Sequence, residues 1–157
     1  MGVPKLKTEY AVREMRPQDL DAIEDIFEAH ISDEHALSLE ARLAEMLAEK
    51  RSGVVALVAV DAEDRPRSYL VAEVRAWEFG SEPAGWIFAL GVDPALEGRG
   101  LGRLLRDEAI ARFRELGVHS VRTMVRKDDV RVQRFFRDAG FVAGPFQELE
   151  LALEKED

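Results

Sequence analysis

The chain has no cysteine, which excludes disulfides, thiolate metal sites and a cysteine nucleophile together. Histidine is scarce too. His30, His35 and His119 are scattered, with no spacing that would gather a metal ion. Positive charge is in deficit: 22 basic against 31 acidic side chains give a formal charge of −9 over 157 residues. That balance argues against nucleic acid or an anionic membrane as the main partner. It suits cationic substrates such as amines, or serves solubility alone. No apolar run approaches the roughly 18 residues of a membrane span. Met1 to Lys5 lacks the apolar core of a signal peptide. Repeats, linkers and low-complexity segments are also missing. The expectation is one soluble, cytoplasmic domain over residues 1–157, long enough to bury its own core.

What the chain does have is concentrated between Gly91 and Gly102, in Gly-Val-Asp-Pro-Ala-Leu-Glu-Gly-Arg-Gly-Leu-Gly. An apolar run from Trp86 to Val92 enters this stretch, and the amphipathic segment Leu101 to Leu116 leaves it. Strand, glycine turn, helix is the reading. In Gly98-Arg99-Gly100-Leu101-Gly102 alternate residues lack a Cβ, so the backbone can turn tightly and approach a ligand closely. Its N–H groups then meet the positive end of the following helix, an anion site beside the cationic Arg99 and Arg103. The plain alternative is a tight connection with no ligand. Two common nucleotide motifs do not apply. The Walker pattern needs Lys-Ser/Thr after its last glycine, and the dinucleotide fingerprint needs glycine where Arg103 stands.

The stretch resembles the acetyl-CoA signature of the GNAT acyltransferase superfamily. Val92-Asp93-Pro94 is similar to the family's Val-x-Pro. Glu97-Gly98-Arg99-Gly100-Leu101-Gly102 is similar to Gln/Arg-x-x-Gly-x-Gly/Ala, with Glu97 at the Gln/Arg position. Asp129 to Phe141 resembles the second motif, which ends in Tyr-x-x-x-Gly-Phe and here reads Phe136-Arg137-Asp138-Ala139-Gly140-Phe141. The resemblance covers residues 86–142.

In chain order, residues 1–9 read as a loose leader and Tyr10 to Met15 as a first strand. Pro17 opens a helix carrying Leu20, Ile23, Phe27 and Ile31 at helical spacing. Ser32 to His35 is a polar break, and Ser38 caps a second helix with Leu39, Leu43, Met46 and Leu47. Val54 to Val60, Ser68 to Trp77 and Trp86 to Val92 are strands, and Gly117 closes the helix after the glycine turn. Val118 to Arg126 is a fifth strand. Asp128 or Asp129 starts a last helix, Phe141 onwards returns as a final strand whose regular part is Phe146 to Leu153, and 154–157 is a tail. The order β-α-α-β-β-β-α-β-α-β is what the resemblance implies: an α/β (mixed α+β) GNAT fold, a twisted mixed sheet with helices on both faces.

The resemblance also implies acetyl-CoA in a cleft where strands four and five splay apart. Leu90 and Val92 would offer main-chain groups to the pantetheine amides. The backbone of Glu97, Gly98, Arg99, Gly100, Leu101 and Gly102, with Arg103, would hold the pyrophosphate. Asp129 and Phe136 of the second motif complete the implied cofactor set. The implied reaction is direct attack of an amine on the thioester. Phe136 replaces the tyrosine that serves relatives as the acid, yet a thiol of pKa about 8.5 can leave as thiolate. Strand four carries no carboxylate, so Glu73 on strand three is the candidate base, with an ion pair to Arg75 as the alternative role. His30 and His35 flank the break between the first two helices and are further candidates, or surface residues. Arg126, Lys127 and Arg131 either meet the 3′-phosphate of CoA or form a solvated edge.

The expectation is therefore a CoA-dependent N-acyltransferase acting on a primary amine of a small molecule or protein, without a metal. A homodimer is possible, since relatives often dimerise. The rival is a GNAT-fold module that binds acyl-CoA as a sensor or partner domain.

Overall fold

The apolar run Val54–Val60 forms β2, which is buried throughout its second half, as a strand covered on both faces requires. In the computed structural model, which describes residues 9–31, 38–76 and 78–154, it is the second strand of a five-stranded sheet ordered β1-β2-β3-β4-β5. The others are β1 (Ala11–Glu14), β3 (Pro66–Arg75), β4 (Ala84–Val92) and β5 (Val121–Thr123). The first four pair antiparallel, and β5 joins β4 in parallel.

Helix α1 (Leu20–His30) follows a 3-10 turn at Pro17–Asp19, and α2 (Leu39–Glu49) is capped by Ser38, whose Oγ accepts the Ala41 N–H at 3.3 Å. Their apolar residues Leu20, Ile23, Ile26 and Leu43 share one core with Val58, Val60, Tyr69 and Val71 of the sheet. The alternate residues Leu57, Ala59, Leu70 and Ala72 are equally buried. Helix α3 (Leu101–Glu115) lies against β2, β3 and β4, burying Leu101, Leu105, Ala109 and Phe113. Two covered faces explain why β2 shows no polar alternation in sequence.

The described residues divide into two units between Met124 and Val125. The second unit contains α4 (Val130–Arg137), capped by Asp129, whose Oδ1 accepts the Val132 N–H at 3.0 Å. Within it, Phe136 is buried and meets Phe135 and Phe141 edge-on, at 5.1 and 5.2 Å between ring centroids. Residues 141–154 form no strand, and Val142, Leu149, Leu151 and Leu153 are exposed. Here the structure departs from the expected sixth strand at Phe146 to Leu153. Alternation marks a segment able to pair, but a strand exists only where a partner supplies the ladder. The fifth strand is likewise shorter than the expected Val118 to Arg126.

Residues 1–8 of the expected leader 1–9, the expected polar break Ser32 to His35, Trp77, and tail residues 155–157 lie outside the described residues. Among those described, no helix is long and apolar enough to cross a membrane.

Candidate active site

Strand β4 changes its bonding edge partway along. At its start, the Gly85 N–H donates to Ser120 O, and Ile87 O accepts the Thr123 hydroxyl, so odd-numbered residues face β5. Val71 pairs with Ala89 but Ala72 with Ile87, which leaves Phe88 as an extra, unpaired residue. Beyond this bulge the Asp93 N–H donates to Arg67 O at 2.8 Å, so odd-numbered residues now face β3. The main-chain groups of Leu90 and Val92 therefore face away from β3, since adjacent residues in a strand bond to opposite edges. On that side β5 pairs with β4 only from Gly85 to Ile87. Among the described residues of this unit, the last third of β4 has β3 on one edge and no strand on the other. The two residues expected to meet an extended ligand stand at an open edge.

The strand then runs through a 3-10 turn, Pro94–Leu96, in which Asp93 Oδ1 accepts the Ala95 N–H at 2.9 Å and its carboxylate pairs with Arg67 at 3.1 Å. Leu96 and Leu101 are buried, which pins the exposed segment 97–100 at both ends. Gly98 (φ +76°) and Gly100 (φ +87°) occupy the left-handed region, where a Cβ is disfavoured. Apart from its chain neighbours, a Cβ built on Gly98 meets no atom of the described residues within 4 Å, so among them the space above this peptide is open. The first α3 amide with an acceptor inside the helix is Leu104, bonded to Gly100 O at 3.0 Å. The N–H groups of Leu101, Gly102 and Arg103 precede it and have no acceptor in the helix, the usual position for an anion. Arg99 and Arg103 are exposed. An open cradle of glycine peptides followed by three such amides fits a diphosphate.

His30, the last residue of α1, reaches this region. Its Nε2 lies 2.7 Å from Val92 O, and its Nδ1 lies 3.8 Å from a Glu97 carboxylate oxygen. The Val92 carbonyl is thus already engaged, while its N–H keeps the open-edge direction. Sequence alone places His30 only beside a polar break, since nothing along the chain links position 30 to positions 92 and 97.

Glu73 stands elsewhere. It pairs with Trp86, whereas Leu90 pairs with Leu70, three residues along β3, or about 10 Å at the usual strand rise. Its carboxylate is held by Arg75 at 3.2 Å and Arg51 at 3.6 Å. Tyr69 is a feature that the sequence pattern does not single out. It pairs with Gly91, and a Cβ there would come within 2.5 Å of the Tyr69 ring. Burial, with a smaller contribution from Glu24, pushes its phenol up to about 12. Asp129 and Phe136 belong to the second unit, where Asp129 caps α4 and Phe136 sits in its aromatic cluster. Arg126 in the same unit is clasped by Asp128 through two bonds of 3.0 Å.

A sheet strand that opens at its edge and runs into a glycine turn at a helix N-terminus is a shape that an extended, phosphate-bearing ligand can fill. The chain belongs to the Acetyltransferase (GNAT) family, which it matches over residues 20–141. It is similar to the mycothiol acetyltransferase of Propionibacterium freudenreichii subsp. shermanii, 44% identical over 59 residues, which make up 38% of this chain and 19% of that protein. The mycothiol acetyltransferase of Nocardia farcinica is 34% identical over 80 residues, 51% of this chain and 26% of that protein. The chain thus spans about a fifth to a quarter of the length of these relatives. Among solved structures, an aminoglycoside acetyltransferase from an uncultured soil metagenomic sample, in complex with sisomicin, superposes with a TM-score of 0.76 at 19% identity, covering 95% of this chain and 99% of that one. A Trypanosoma brucei acetyltransferase superposes at 0.72 with 22% identity, covering 92% and 100%. These likenesses show the fold.

Proposed function

We propose that this chain transfers an acyl group, acetyl in the first instance, from acyl-CoA to a primary amine by direct attack. The observation that carries the reading is the open edge of β4 beyond the Phe88 bulge, continuous with the Gly98 cradle and the free amides of α3. When bound, acetyl-CoA supplies an activated thioester. In this reading the Leu90 groups and the Val92 N–H align the pantetheine arm as an added strand would. The amides from Gly98 to Arg103 neutralise the diphosphate, with Arg99 and Arg103 beside them. Fixing donor and acceptor together supplies most of the acceleration such a transfer needs. Glu73, clasped by two arginines, holds β3 in place and takes no part in proton transfer. The curated relatives are named for mycothiol and one structural neighbour for aminoglycosides, which makes a small amine-bearing molecule the acceptor to try first.

A second reading rests on Phe136, which offers no proton where the family pattern has tyrosine: the chain binds acyl-CoA without useful turnover. A thiol-release assay with acetyl-CoA over a panel of amino sugars, polyamines and lysine peptides, run beside calorimetry with CoA, tests both. Release with at least one amine establishes the enzyme. CoA binding with no release from any amine leaves the sensor, and no CoA binding overturns both.

A further inference from the structure

Gly91 has no backbone reason to be glycine. It lies within β4, outside the left-handed region that favours a residue without a Cβ. What the missing Cβ provides is room for Tyr69, its partner on β3. A Cβ at Gly91 would stand 2.5 Å from Cε1 of that ring, 2.8 Å from Cζ and 2.8 Å from the hydroxyl oxygen. These atoms are the far edge of the ring, so Tyr69 lies across β4 with its oxygen over Gly91. Leu90 and Val92, whose main-chain groups face the open edge, flank that point.

We propose that the Tyr69 hydroxyl meets the sulfur of the bound thioester and donates a hydrogen bond to it as it leaves, a bond that Phe136 cannot supply. This rests on the acyl-CoA reading of the site.

With the diphosphate at the Gly98 turn, the pantetheine arm runs back along β4, and its sulfur end lies toward Leu90 and the Phe88 bulge. Gly91 is one residue from Leu90, about 3.4 Å along a strand. Tyr69 is 3% exposed and shares one core with Ile23, Ile26 and Val71, which fixes the ring in this orientation. Its hydroxyl nevertheless makes no hydrogen bond among the described residues. A buried ring that keeps an unpaired hydroxyl, where phenylalanine would fill the same space, calls for a partner. Burial pushes the phenol up to about 12, so the oxygen carries its proton throughout the neutral range and faces a ligand as a donor.

In the transfer the amine lone pair attacks the thioester carbonyl. The C–N bond forms, the C–S bond breaks, and its electron pair goes to sulfur. The phenol O–H bonds to the growing thiolate and keeps its proton, while the proton shed by nitrogen passes to water.

The test is Tyr69→Phe, which removes the hydroxyl and keeps the ring. Its melting temperature should hold or rise, because no hydrogen bond among the described residues is lost. CoA affinity should stay within about twofold, since the arm is held by β4 and not by the ring. In the thiol-release assay kcat should fall on the order of 10²-fold with the amine KM nearly unchanged, the pattern of a bond made only in the transition state. A second readout needs no acceptor. The thiol of bound CoA, followed by the ultraviolet absorbance of its thiolate, should titrate about one pH unit higher in Tyr69→Phe than in wild type, because a donor favours the charged form. A singly fluorinated tyrosine at position 69, a stronger donor of nearly the same shape, should move that titration the other way, and it serves where the phenylalanine variant is unstable. Coincident thiol titrations in wild type and variant, or an unchanged kcat, overturn the role assigned to Tyr69. A fall in CoA affinity that follows a fall in melting temperature marks a packing residue and overturns it too. Wild-type protein that binds CoA keeps the acyl-CoA reading intact whatever the variants show. Wild-type protein that binds no CoA overturns that reading and this one together.

Discussion

Replacing Gly98 by alanine separates what the turn needs for folding from what it needs for binding. At φ +76° an L-residue is strained by about 1–2 kcal/mol, and beyond the chain neighbours no atom of the described residues lies within 4 Å of the added Cβ to raise that cost. For a chain of this size each kcal/mol lowers the melting temperature by about 2–4 °C, so a fall of about 2–8 °C is expected. The protein stays folded. The methyl group nonetheless enters the open space over the peptide, where the diphosphate is to lie. Losing one charge-assisted bond there costs about 1.5–3 kcal/mol, or about 10- to 150-fold in CoA affinity. Calorimetry with CoA on protein shown to be folded by circular dichroism gives the number, and pantetheine serves as the control that should be unaffected. A CoA Kd within about twofold of wild type, together with the expected drop in melting temperature, would refute the placement of the diphosphate.

Glu73→Gln removes a carboxylate held by two half-exposed arginines. It should therefore cost no more than about 1 kcal/mol of stability and leave the pH–rate profile of acetyl transfer unchanged. A fall of about 10²-fold or more at pH 7 would reinstate Glu73 as the base. Asp19 is buried; although burial pushes its carboxyl up, the Arg13 guanidinium at 2.7–2.8 Å and the Arg16 N–H hold it below the usual carboxylate range. A carboxyl whose pKa falls on folding stabilises the fold above its unfolded value of about 3.9, and that contribution is lost as pH falls through the folded value. Asp19→Asn should then cost about 3 kcal/mol at pH 7 in urea unfolding, with the difference from wild type narrowing below about pH 4. Phe136→Tyr restores the hydroxyl of the family pattern inside the α4 aromatic cluster. Turnover should rise or hold, and a large loss of kcat at unchanged melting temperature would show that the second motif is misaligned.

The features legible in sequence are those set by neighbours along the chain. The seven apolar residues Val54–Val60 became β2 with the expected bounds, and the amphipathic segment from Leu101 became α3. Ser38 and Asp129 cap the helices they precede, because a cap needs only the amides two or three residues ahead. The glycine turn follows from the same local logic, since positive φ at Gly98 and Gly100 is a property of residues without a Cβ.

What tertiary structure alone decided depends on partners distant in sequence. The bulge at Phe88 arises from the register of β4 on β3, and it decides that Leu90 and Val92, rather than Ala89 and Gly91, face the open edge. Nothing in Trp86 to Val92 marks the extra residue, because a bulge is a count of one strand against another. That Arg51, from the turn after α2, pairs with the second oxygen of the candidate base Glu73 is equally invisible along the chain. His30 acquires its place only when the end of α1 meets residues 62 and 67 positions further on, at Val92 and Glu97. The Phe146 to Leu153 alternation went the other way, a strand pattern for which the fold supplies no ladder among the described residues. Local sequence sets what a segment can become, whereas pairing and charge contacts across the sheet are settled by which segments the fold brings within a few ångströms.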